Sequence, residues 1–145
     1  MAGDFTLSGY KAAATTYLST ELNSLADGGN KLGAAIDNSS NKYLFHDLEI
    51  SLASAAFAAN AYVNVYLLAQ VDSEYPDGSD SIDPENSNPV YVAGFRNATA
   101  AQVAVILNVP IPNGNFKYLI MQETGVAWAS TANTVKYRPH NESFT

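Results

Sequence analysis

Carboxylates and histidines are the side chains of this 145-residue chain best suited to chemistry, and they are few: fourteen Asp and Glu, and two His, His46 and His140. Asp47 and Glu49 stand two apart, so in an extended segment both project from the same face. Paired carboxylates hydrolyse glycosidic bonds when they face each other across a cleft and one has a raised pKa. No second strand-like segment carries acids to face them, so a solvated polar face is expected. Another six acids, Asp72, Glu74, Asp77, Asp80, Asp83 and Glu85, are concentrated in residues 72–85. Calcium takes several oxygen ligands from such a loop. However, the positions two and four before Asp77 hold Tyr75 and Ser73, so the spacing of a helix-loop-helix calcium site is missing. A solvated, mobile tip is expected there. His46 falls in register with Leu44 and Leu48 and reads as a histidine at the core edge with a local hydrogen bond. Gly-x-Ser-x-Gly, His-Glu-x-x-His and Gly-Lys-Ser/Thr are absent. With no cysteine, thiol catalysis and Cys-based metal sites are excluded. No catalytic, cofactor or metal-binding residue is expected, and the chain is read as a non-enzyme.

Binding is better supported. A net charge of −7 argues against nucleic acid, whose phosphates need clustered Lys and Arg. No apolar run approaches the roughly 18 residues of a membrane span, and residues 1–6 lack the basic start of a secretory leader. Nine tyrosines supply rings that pack and hydroxyls that bond. Tyr62 and Tyr66 share the polar face of one segment, and Tyr91 lies on a possible neighbour. They would form a sugar platform or a protein contact, or simply stabilise a sheet by cross-strand packing. Tyr10, Lys11 and Tyr17 near the start, and Tyr137 and Arg138 near the end, complete the candidate partner-binding residues. Three Asn-x-Ser/Thr sequons, at Asn38, Asn97 and Asn141, are read as chance in an Asn-rich chain.

The elements that would position these residues follow from periodicity. In residues 8–26, Ala14, Tyr17, Leu18, Leu22 and Leu25 recur at helical spacing, and Asp27, Gly28 and Gly29 supply a stop. Thr15, Thr16 and Thr20 weaken that helix, so an extended arm over 5–18 is the alternative. From residue 44 the period becomes two. Segment 44–52 puts Leu44, Leu48, Ile50 and Leu52 on one face, and 62–71 alternates Val63, Val65, Leu67, Ala69 and Val71 with polar residues. The Ala-rich stretch 53–61 between them reads as a connecting turn. Residues 72–89 form a long acidic loop, because Pro76, Pro84 and Pro89 exclude a core strand. Further strands are expected at 89–95, at 101–109 (Val103, Val105, Leu107 and Val109 on one face), and at 116–122, 125–129 and 134–138. An all-β, jelly-roll-like antiparallel β-sandwich of about 7–8 strands follows, preceded by an N-terminal helix or extended arm. Its expected boundaries are an arm at 1–41, a sandwich at 42–139 and a C-terminal tail at 140–145. Outside the acidic loop, eight acids face seven bases, so the body is nearly neutral.

Four segments carry a family resemblance. They are Thr-Glu-Leu-Asn-Ser-Leu-Ala-Asp-Gly at 20–28, Tyr-Leu-Phe-His-Asp-Leu-Glu-Ile at 43–50, Val-Tyr-Leu-Leu at 65–68 with the Tyr-Pro-Asp-Gly turn at 75–78, and Asn-Thr-Val-Lys-Tyr-Arg-Pro at 133–139. Together they resemble the capsid decoration, or cement, proteins of tailed bacteriophages. That resemblance implies a virion structural protein at the capsid surface, a homo-oligomer that binds the major capsid protein on the outside of the assembled shell and stabilises it. It supplies no catalytic residues. Two other readings are a carbohydrate-binding sandwich using Tyr62, Tyr66 or Tyr91, and a tail or receptor-binding component, for which fibrous repeats would be expected.

Overall fold

The computed structural model describes residues 13–84, 89 and 91–141. Among these residues, extended segments with apolar residues at alternate positions become nine strands: β1 (Thr15–Leu18), β2 (Asn30–Leu32), β3 (Ile36–Asp37), β4 (Phe45–Leu52), β5 (Tyr62–Ala69), β6 (Tyr91–Gly94), β7 (Gln102–Pro110), β8 (Asn115–Glu123) and β9 (Thr134–His140). They form two antiparallel sheets. The first has the order β1-β9-β4-β7. The second has the order β2-β8-β5-β6, with β3 also on β8. The chain changes sheet at β1–β2, β3–β4, β4–β5, β6–β7, β7–β8 and β8–β9, which is the jelly-roll sandwich. Leu48, Ile50 and Leu52 of β4, Val63 and Val65 of β5, and Phe116, Tyr118 and Ile120 of β8 meet between the sheets.

The opening segment is not a helix. Thr15 and Thr16 are β-branched, and β1 completes a ladder against Val135, Lys136 and Tyr137 while burying Leu18. Sheet pairing therefore overrides a helix propensity that three threonines already weaken. A single 3-10 turn, Thr20–Leu22, follows and buries Leu22 completely. Because β1, β2 and β3 belong to the sheets, the sandwich begins by Thr15 rather than at residue 42. It also runs past residue 139. His140 ends β9, and the side-chain oxygen of buried Asn141 accepts the Leu44 amide at 2.8 Å. Asn38, likewise buried, spends its side chain on Tyr43 and Pro112 backbone. Two of the three sequons thus mark structural asparagines.

Two more expectations change. Residues 125–129 form no strand. Trp128 instead fills the core, its indole donating to Thr124 Oγ1 at 3.1 Å, and its amide bonds to Leu25 O. On β7, Val103, Val105 and Leu107 do not share a face with Val109. They point outward, and Ile106 and Val109 are buried. A bulge resolves the parity. The β4–β7 register shifts between His46 and Leu48, and Asn108 takes φ +57°, so the side-chain alternation slips by one.

Candidate partner-binding surfaces

Each sheet has an outer face, and the two are built differently. On the second sheet, Tyr66 and Leu68 of β5 and Leu119 of β8 point outward but are almost fully buried, packed with Leu32, Tyr75 and Met121. What covers them is the acidic loop. Asp80 accepts the Leu32 amide at 2.7 Å and pairs with Lys31, and Asp83 accepts from the Asn30 side chain at 2.6 Å. Lys117 Nζ sits 4.1 Å from the centre of the Tyr75 ring. Gly78 (φ +150°) lets the loop approach closely, since a Cβ there would stand 3.1 Å from Leu68 and Leu119. The expected solvated tip is therefore a folded cover across residues 71–84, pinned by its own carboxylates. Among the described residues no cluster of His, Asp and Glu could hold a metal ion.

The first sheet's outer face has no such cover among the described residues. It carries Asp47 and Glu49 of β4, Lys136, Arg138 and His140 of β9, and Val103, Val105 and Leu107 of β7. Ala14, Glu49, Val105, Leu107, Lys136 and Arg138 border a shallow cavity of about 250 Å³. Glu49 and Lys136 pair at 3.0 Å while half-exposed. Asp47, expected to be solvated, is instead buried. Its carboxylate accepts from Arg138 Nη2, from the Asn108 amide and from His140 Nε2, each at 3.1 Å. Burial pushes its pKa up, but the Asn108 amide, Arg138 and His140 outweigh this and hold it below the ordinary carboxylate range. The bulge is what aims the Asn108 amide at this carboxylate. No local sequence signal marks the residue; its partners are supplied by β7 and β9.

Between the sheets, His46 is buried, stacked on Tyr137 at 4.5 Å, with Nδ1 3.1 Å from Tyr118 Oη. Burial, helped by nearby His140 and opposed by Asp47, lowers its pKa to about 3, so the ring is neutral. Burial keeps the Tyr118 hydroxyl protonated, and it shares a hydrogen bond with Nδ1 of the neutral ring. The register implied a core-edge histidine with a local hydrogen bond; the ring is on the core side, but its partner is 72 positions away on β8 of the other sheet.

The seven candidate partner-binding residues do not converge on one surface. Tyr10 and Lys11 lie outside the described residues. Tyr17 is committed internally: its hydroxyl donates to Ala34 O at 2.7 Å and accepts the Tyr118 amide at 3.0 Å. Its ring meets Tyr118 and Tyr137 edge-on and fills the space a side chain on Gly33 would need. Burial raises its pKa to about 12. Tyr137 faces inward against His46, whereas Arg138 is on the bare face bonded to Asp47. Tyr62 is exposed and Tyr66 is sealed beneath the loop. Tyr91 is exposed on the neighbouring strand, but it lies opposite Val65, on the inward side of the sheet. The three tyrosines proposed as a sugar platform therefore do not share a face. Sequence reasoning missed the exposed apolar row on β7, because an apolar alternation looks the same whichever way it points.

Comparison with protein-family models and with curated proteins finds no match to this chain.

Proposed function

We propose that the chain is a virion structural protein that binds the outside of an assembled tailed-phage capsid and stabilises it, with the major capsid protein as its partner. It acts by binding rather than by catalysis. The observation that carries this reading is the unequal treatment of the two outer faces. One is sealed by the chain's own loop, while the other has no cover among the described residues, with paired charges beside exposed Val105 and Leu107. Such a surface packs against protein without stranding an unpaired charge. The segment resemblance at 20–28, 43–50, 65–68 and 133–139 points to the same class. Tyr10 and Lys11, two of the candidate contact residues, belong to the segment 1–12 that lies outside the described residues.

The test is copy counting by quantitative mass spectrometry on purified particles. Hundreds of copies beside the major capsid protein support the proposal, a few indicate a tail component, and none overturns it. Deleting residues 1–12 should weaken co-sedimentation with shells while the sandwich stays folded. A longer deletion through residue 26 would remove Leu18 and Leu22 from the core and test folding instead.

A further inference from the structure

Among the described residues, five of the nine large apolar side chains that stand exposed lie on one edge of the sandwich: Tyr91 and Val92 on β6, and Val103, Val105 and Leu107 on β7. β7 ends the first sheet, with β4 on one side and no described strand on the other. Neither β6 nor β7 contains a charged residue. Proteins ordinarily blunt a free edge with Lys, Pro, a bulge or a covering loop. Here Pro110 and the Asn108 bulge both sit at one end of β7. The run from Gln102 to Leu107 holds no charge and no bulge, and no described residue pairs with its free edge.

We propose that β7 pairs antiparallel with β7 of a second copy across a two-fold axis, joining the two first sheets into one continuous sheet. Directly opposed residues in an antiparallel pair project to the same side. Outward residues must therefore meet outward partners, and of the axes that allow this the one centred on Val105 pairs all three of Val103, Val105 and Leu107. Val105 then faces Val105, and Val103 faces Leu107. The row is its own complement. Charge also selects a second copy. Each chain carries −7, which would oppose association, but six of the acids fall in 72–85, and Asp80 and Asp83 anchor that loop over the other sheet. On the first sheet Glu49 is paired with Lys136 and Asp47 with Arg138. The edge thus presents a neutral strip, with the excess charge directed away and screened over about 8 Å at physiological salt. Pairing would also double the bare face available to a shell, but it does not depend on the capsid reading, and its test uses the isolated protein.

The chain has no cysteine, so Val105→Cys introduces a single thiol per chain. Facing Cβ atoms in an antiparallel pair lie roughly 4.5–5.5 Å apart, near disulfide reach. With oxidised glutathione, Val105→Cys should form a covalent dimer. Val103→Cys should not link to itself, because the two sites would be displaced by about 13 Å along the strands; it should link when mixed with Leu107→Cys. In parallel, analytical ultracentrifugation should find the wild-type protein dimeric, and the Val105→Lys/Leu107→Lys variant monomeric with an unchanged circular-dichroism spectrum. A wild type that stays monomeric at about 1 mM overturns the proposal. A dimer that survives both lysines, or one that links equally through residues 103 and 105, overturns it as well.

Discussion

On the second sheet Tyr66, Leu68 and Leu119 point outward and are at most 8% exposed, whereas on the first Val103, Val105 and Leu107 point outward and are between 56% and 63% exposed. Both rows are apolar, and both lie on the outer face of an antiparallel sheet, where one side is free to face water. The difference is that the chain spends residues 71–84 on covering one row and nothing described on covering the other. Burial is worth roughly 25 cal/mol per Å² of apolar surface, so the covered row contributes to this chain's own stability. The exposed row adds little of that free energy to this chain's own stability. Acidity helps the cover rather than opposing it, because its carboxylates bond to Leu32, Lys31 and Asn30.

The sharpest way to break this comparison is to truncate one leucine from each row. Leu119→Ala should cost about 3.5 kcal/mol, as for a fully buried leucine, and Leu107→Ala less than about 0.5 kcal/mol. Urea unfolding of the two variants checks this, and equal losses would mean the loop does not seal its face. Asp47→Ala comes next on the bare face. It leaves buried His140 and the Asn108 amide without their acceptor, at a cost of about 2–3 kcal/mol, while Glu49→Ala at the half-exposed neighbouring pair should cost under about 1 kcal/mol.

Acid should separate the layers in a third way. The His46 pKa is depressed to about 3 when folded, so below its usual value near 6.5 the unfolded chain binds a proton that the folded chain refuses. Stability should therefore fall by about 2 kcal/mol between pH 6.5 and 4.5, and His46→Gln should flatten that slope. Asp47 works lower. Its folded pKa is depressed, so its contribution is present above the usual carboxylate value and is lost as pH falls through the folded one. The smallest effect concerns the cover's anchor. Asp80→Ala should cost less than about 1 kcal/mol, because its side chain is half-exposed, but it should speed hydrogen exchange at the Leu32 amide. An unchanged Leu32 rate would show that the loop is held by its apolar contacts alone.

Much of the fold was readable because a period of two is a local property. The strands at β4, β5, β7, β8 and β9 were each legible from alternation, as was the Ala-rich turn at 53–61. β1 was less so. Leu18 and Leu22 satisfy a helical stripe as well as they satisfy burial in a strand and a 3-10 turn, and only pairing with β9 decides between them. The candidate surfaces were least legible. Tyr66 was visible as an outward tyrosine, but the loop that buries it follows in sequence without any alternation to show that it folds back. Tyr17 carried the pattern of a contact residue, yet its hydroxyl is spent on Ala34 and Tyr118, the latter 101 positions away. Asp47 looked like one of two solvated acids until β7 and β9 brought it an amide, a guanidinium and an imidazole.

By itself, the sequence determined that this is an all-β sandwich, nearly neutral outside one acidic loop, with His46 at the core edge. Alternation, proline placement and composition act over a few residues and need no partner to be read. Only the tertiary structure decided which side of each alternating strand meets the core, that the acidic loop is a cover, and that β7 leaves its apolar row in water. Those outcomes depend on strand pairing and on a one-residue bulge, and a shift of one residue exchanges the two faces of a strand without changing its pattern.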